Sequence, residues 1–118
     1  MTVQECYEAF GGNYQEVISR LRTDERVARF LQKVVDDGSY KLLVDSIASG
    51  NVDEAFRAAH TLKGVCMNLS ITKFGESASA LTEVLREKRE ISDELQPLLQ
   101  QVKEDYELTV NNILQLNK

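Results

Sequence analysis

The sequence predicts an all-α protein, an antiparallel up-and-down four-helix bundle with one or two extra short N-terminal helical segments. Three observations predict it. Apolar residues recur at helical spacing along nearly all of the 118 residues, no strand-like alternation is sustained, and one proline with six glycines is too little punctuation for a sandwich or barrel of many short strands. Four substantial amphipathic helices on short connections can bury their apolar stripes only against one another, which gives a bundle.

In chain order, a first helix covers about Val3 to Phe10 and ends at Gly11-Gly12, with Asn13 placed to cap a second segment, Tyr14 to Leu21. Thr23 or Asp24 caps a helix carrying Val27, Phe30, Leu31, Val34 and Val35. Asp37-Gly38-Ser39 stops or bends that helix before Leu42, Leu43 and Ile47, which leaves one long bent helix and two separate ones both open. After a clear break at Ser49-Gly50-Asn51, Val52 to about Leu69 carries the best-defined apolar stripe in the chain. Ser70 or Thr72 begins the next helix, through about Lys88, and Ser92 opens a last one to about Leu116. Pro97 falls near the start of that helix, where its missing N–H costs little. Leu95, Leu98, Leu99, Val102, Tyr106 and Val110 then close the bundle. The length is too short for two domains, so residues 1–118 are expected to form one. The initial methionine and this compact size point to a free-standing protein.

Nineteen acidic against fourteen basic side chains give a net charge of −5, the wrong sign for gripping a phosphate backbone, so nucleic acid is not an expected partner. No apolar run approaches the roughly 20 residues needed to cross a bilayer. The opening MTVQECYEAF has neither a basic start nor an apolar centre, so no membrane contact is expected and the cytoplasm is the expected compartment. Cys6 and Cys66 lie far apart without CxxC spacing, which suggests reduced thiols rather than a zinc site or a disulfide framework.

His60 is the sole histidine, and imidazole is the side chain best suited to nucleophilic or acid-base work near neutral pH. At roughly 100° per residue, Ala55, Ala59, Leu62, Cys66 and Leu69 share one side of its helix and face the core. His60 projects away from that stripe, in the company of Asp53, Phe56, Arg57, Lys63, Gly64 and Met67, and is therefore expected in solvent. Gly64 is the odd residue, because glycine in a helix interior costs about 1 kcal/mol relative to alanine. Either it is a tolerated irregularity, or the missing side chain clears an approach to the imidazole one turn away. Lys63 is either an ordinary solvated lysine or a cation placed to offset phosphate charge. Phe56 and Met67 read as a docking patch or as partly covered core.

The run Ala58-Ala59-His60-Thr61-Leu62-Lys63-Gly64, followed by Asn68-Leu69, resembles the signature of histidine-containing phosphotransfer domains, the HPt modules of multistep phosphorelays. The resemblance extends less sharply over about residues 8 to 90, through Gly11-Gly12-Asn13, the Phe30 helix, Gly50-Asn51-Val52 and the Phe74 to Leu85 stretch. It implies that His60 accepts a phosphoryl group from a receiver-domain aspartate and hands it to another receiver, with Lys63 compensating charge and Gly64 giving steric access. The implied partners are response-regulator receiver domains and a hybrid histidine kinase.

The chain departs from the family pattern after Lys-Gly, with Val65, Cys66 and Met67 where small residues are common, and with Ser70 where a glycine often stands. On the neighbouring helix, positions at which some members hold an amide and an arginine are Thr82 and Arg86 here. Gly75, Ser79, Thr82 and Arg86 read as a polar stripe opposite Phe74, Ala78, Leu81 and Leu85, so Thr82 and Arg86 are candidate binding residues beside Phe56, Arg57 and Met67.

No GxGxxG or GxxxxGK pattern exists for a nucleotide, so the chain is expected to carry phosphate without its own kinase activity. No cofactor is expected on this chain, and Mg2+ is expected on the partner receiver, because the carboxylates here are scattered. Three rivals remain. Cys66 as a nucleophile with His60 as base is disfavoured by their separation of about 120° around one helix. A histidine-kinase dimerisation region typically follows its histidine with an acidic residue and later a proline, and Thr61 and Val65 do not fit. The third is a non-catalytic helical adaptor or docking bundle for a receiver domain.

Overall fold

The computed structural model describes residues 1–117, and among them the regular structure is entirely helical. The α-helices are α1 (Val3–Phe10), α2 (Tyr14–Leu21), α3 (Asp24–Asp36), α4 (Ser39–Ala48), α5 (Val52–Asn68), α6 (Thr72–Glu87) and α7 (Gln96–Leu114), with 3-10 turns at Asp93–Leu95 and Gln115–Asn117.

Side-chain caps fix several of the starts. The side-chain oxygens of Asn13, Thr23 and Asn51 accept from the backbone N–H three residues on, at 3.0, 3.2 and 3.1 Å, and so begin α2, α3 and α5. Thr2 and Glu5 exchange reciprocal bonds of 2.8 and 3.1 Å at the head of α1. The open question at Asp37-Gly38 resolves into two helices. Asp37 takes an extended backbone, and its carboxylate accepts the Ser39 N–H at 2.6 Å, which restarts the chain as α4.

Neither hydroxyl expected to begin α6 caps it. Ser70 adopts a left-handed backbone, φ +55°, and its hydroxyl bonds the Glu16 carboxylate and the Arg20 guanidinium instead. The residue preceding α6 is Ile71, which is buried. Ser92 likewise caps no α-helix, since a 3-10 turn intervenes before α7 and Pro97 occupies its first turn.

α5 lies between α4 and α6, and α7 packs on α6 and closes against α1 and α3. Ala55, Ala58 and Ala59 on α5 are buried, and these short side chains let the flanking helices come close. Gly75 on α6 does the same, since a Cβ there would stand 3.2 Å from the Cys66 Cβ. Val27, Leu31 and Val34 fill the α3 seam, whereas Phe30 is 40% exposed with the Lys33 ammonium 4.9 Å from its ring centre. Phe30 thus leaves the stripe in which it was expected, because it lies at the seam's edge. Leu95, in the 3-10 turn before α7, and Val102 within it are buried as expected, and Asp105 and Thr109 are buried with them.

The Gly11-Gly12-Asn13 turn grips the turn between α5 and α6. Asn13 N–H donates to the Ser70 carbonyl at 2.8 Å and Lys73 N–H to the Gly11 carbonyl at 3.1 Å. The buried Tyr7 hydroxyl donates to the Leu69 carbonyl at 2.6 Å. Gly12 has no room for a side chain: a Cβ would fall 2.6 Å from the Tyr7 ring and 2.9 Å from the Ser70 carbonyl.

Candidate functional site

The seam of α5 formed by Ala55, Ala58, Ala59, Leu62 and Cys66 is buried. Helical geometry therefore turns His60 outward, and its side chain is exposed. Gly64, also exposed, lies one turn along, and beyond its chain neighbours and the backbone of its own helix no atom comes within 4 Å of where its Cβ would stand. The fold does not demand a glycine there. What its absence of side chain provides is open space beside the imidazole.

On the α6 side of the histidine, aromatic and charged groups meet. The Phe56 ring lies 5.9 Å from the His60 ring at an interplanar angle of 21°, and the Arg86 guanidinium carbon stands 5.1 Å from the centre of the Phe56 ring. Arg86 also presents Nε and Nη2 to the two oxygens of Glu83, at 3.3 and 3.2 Å, while Lys63 Nζ is 3.8 Å from Glu83 Oε1. The Arg86 hydrogen bonds and charge hold the Glu83 carboxyl below the usual carboxylate range, with lesser help from Lys63 and His60. Arg57, on the outer face, pairs with Glu54 at 3.0 Å.

Two depressions flank His60 along the α5/α6 boundary. One of about 580 Å³ includes Lys63, Cys66, Met67, Ser70, Gly75 and Ser79. The other, of about 440 Å³, includes Asp53, Phe56, Arg57 and Arg86. Met67 is 61% exposed at the first, and Phe56 is half-buried against the core at the second.

Thr82 does not join this surface. It is fully buried, and its hydroxyl donates to the Ala78 carbonyl at 2.6 Å. The polar stripe read along α6 therefore breaks up: Gly75 and Thr82 are interior, Ser79 is half-buried and Arg86 is exposed. α6 is covered by α5 on one side and α7 on the other, so its buried arc is wider than its apolar residues alone suggest. A threonine enters that arc by bonding back to its own helix.

Glu83 is a site residue absent from the sequence expectations, and its spacing of three from Arg86 is the signal in the sequence that points to it. The Cys66 thiol is buried and pushed up to about 12 by desolvation, and that of Cys6 to about 11, so neither offers a thiolate nucleophile at neutral pH. Among the described residues no three His, Cys, Asp or Glu side chains are grouped so as to hold a metal ion, and no helix is long and apolar enough to cross a membrane.

Comparison with protein families matches residues 14–112 to the Hpt domain. The chain belongs to this family, whose members are phosphocarriers of phosphorelays that act through a histidine and interact there with receiver domains and kinases. No curated protein and no solved structure matches it.

Proposed function

We propose that this chain is the phosphocarrier of a multistep phosphorelay, accepting a phosphoryl group on His60 from a receiver-domain aspartate and passing it to another receiver. One observation carries the reading: the single histidine of a chain in this family stands exposed at mid-helix, with a glycine in open space one turn along and with the Phe56 ring beside it, over which the Arg86 guanidinium stands. In the transfer, a lone pair on an imidazole nitrogen forms the N–P bond in line as the P–O bond of the aspartyl phosphate breaks, and that electron pair stays on the aspartate carboxylate. Positioning and charge stabilisation supply the catalysis.

In this reading Lys63 and Arg86 offset phosphoryl charge, Gly64 admits the partner, and Phe56, Arg57 and Met67 form the docking rim. Mg2+ belongs to the receiver's acidic pocket, a hybrid kinase supplies the phosphoryl group upstream, and the chain works in the cytoplasm without binding ATP. The whole of 1–118 acts as one domain, in which the consecutive pair α3 and α4, counted as one arm, joins α5, α6 and α7 in an antiparallel four-helix core. Incubation with phosphorylated receivers tests this. The chain should gain an acid-labile, base-stable phosphate that His60→Gln abolishes, whereas binding without label would mark a docking bundle and overturn the carrier.

A further inference from the structure

Three cationic side chains border the histidine's face, and each already has a carboxylate. Arg57 is taken by Glu54 at 3.0 Å. Lys63 and Arg86 converge on one residue, Glu83, at 3.8 and 3.2 Å. Arg86 meets it through two nitrogens, in the fork geometry that makes guanidinium–carboxylate pairs the better-defined ones. The cations best placed for an anion on His60 are therefore engaged before any anion arrives.

We propose that Glu83 is a positioning residue of the phosphotransfer site: its carboxylate holds Lys63 and Arg86 in the unphosphorylated protein and so keeps the phosphohistidine labile. The inference rests on His60 as phosphoacceptor. A phosphoryl group brings about two negative charges at neutral pH and attracts both cations. To serve it, Lys63 and Arg86 must loosen their hold on Glu83, which leaves a carboxylate beside a dianion. Lost pairing and like-charge repulsion then act in the same direction, against the phosphorylated form and toward its discharge. A carrier has to give up what it accepts, and a site whose cations were wholly free would retain the group more strongly. The field of His60 on the Glu83 carboxyl is consistent with this proximity.

The test needs no partner protein. Phosphoramidate charges histidine directly: the imidazole lone pair forms an N–P bond while the donor's P–N bond breaks and ammonia leaves. Discharge to water forms a P–O bond and returns the N–P electron pair to the ring. Glu83→Gln, at an exposed position where the fold is not at stake, should lengthen the phosphohistidine half-life about threefold at low salt, the scale of an exposed ion pair. The difference should shrink toward 1 M salt, where screening shortens to about 3 Å. Glu83→Asp should restore most of the lability, and Glu83→Gln should have a clearly smaller effect in a chain already carrying Lys63→Met and Arg86→Met, where only the like-charge repulsion is left to remove. Equal half-lives, or a lengthening just as large without the two cations, would overturn the role of Glu83 while leaving the carrier reading intact. A wild-type chain that takes up no label dependent on His60 would instead overturn the phosphoacceptor reading, and this inference with it.

Discussion

Gly64 lies one helical turn beyond His60 on the outer face of α5, and apart from its own helix backbone and chain neighbours nothing stands within 4 Å of the place its Cβ would take. Conformational cost and open space together make a sharp prediction. Gly64→Ala should stabilise the fold by about 0.5–1 kcal/mol, because alanine is the better helix former and nothing obstructs it. The same change should slow transfer from a receiver while leaving phosphoramidate labelling of His60 unaltered, since only a protein partner needs the clearance. Urea midpoints and the two labelling rates check both halves.

Phe56 and Met67 should separate packing from docking. Met67 is mostly exposed, so Met67→Ala should change stability by less than about 0.5 kcal/mol and still weaken receiver binding. Phe56 is half-buried and touches both the His60 ring and the Arg86 guanidinium. Its truncation to alanine should cost about 1–3 kcal/mol and also slow transfer. Thermal melts together with receiver titrations measure the split, and unchanged binding and transfer in both variants would remove these residues from the docking rim.

Thr82→Val tests the reassignment of that residue to the interior. The hydroxyl serves only its own helix, through the Ala78 carbonyl, so the near-isosteric change should shift stability by less than about 1 kcal/mol and leave transfer rates at wild-type values. A large loss of transfer with an intact fold would return Thr82 to the site.

The buried thiols predict alkaline lability. A free cysteine thiol ordinarily titrates near 9.0, and burial pushes Cys6 up to about 11 and Cys66 up to about 12. Above pH 9 the unfolded chain therefore gives up thiol protons that the folded chain keeps. The unfolded state binds fewer protons there, so stability is at its full value below pH 9 and falls as pH rises toward 11–12. Urea midpoints measured across that window should decline, and the Cys6→Ala, Cys66→Ala double variant should show a shallower slope.

Gly12→Ala should be among the most damaging single-methyl additions in the chain. Its Cβ would fall 2.6 Å from the Tyr7 ring, 2.8 Å from the Phe10 ring and 2.9 Å from the Ser70 carbonyl. A loss of about 1–3 kcal/mol is expected, seen as a lowered Tm, with His60 still labelled by phosphoramidate at temperatures below the melt.

The helices themselves were legible in the sequence because their signals are local. Asn13, Thr23 and Asn51 announce helix starts through side chains that reach only three residues on, and the alanine-rich seam of α5 fixes the direction of His60 by rotation alone. What stayed hidden depended on neighbours. Thr82 and Asp105 look like surface residues until the helices covering them are in place, when Thr82 donates back to the Ala78 carbonyl and Asp105 accepts from the Gln101 amide one turn earlier. Ser70 looks like a helix cap until the left-handed turn hands its hydroxyl to Glu16 and Arg20. Phe30 looks like core because it is large and apolar, yet the seam of α3 is already filled by three aliphatic side chains. The pairing of Lys63 with Glu83 joins two helices and has no sequence spacing to betray it.

The family match begins at residue 14, but Tyr7, seven residues earlier, plugs the floor beneath the end of the histidine helix by bonding the Leu69 carbonyl. A truncation cut to the borders of the recognised module would pull that plug and bare the Leu69 carbonyl, with the apolar surface that α1 covers, to water. The physical edge of this relay station lies upstream of its genealogical one.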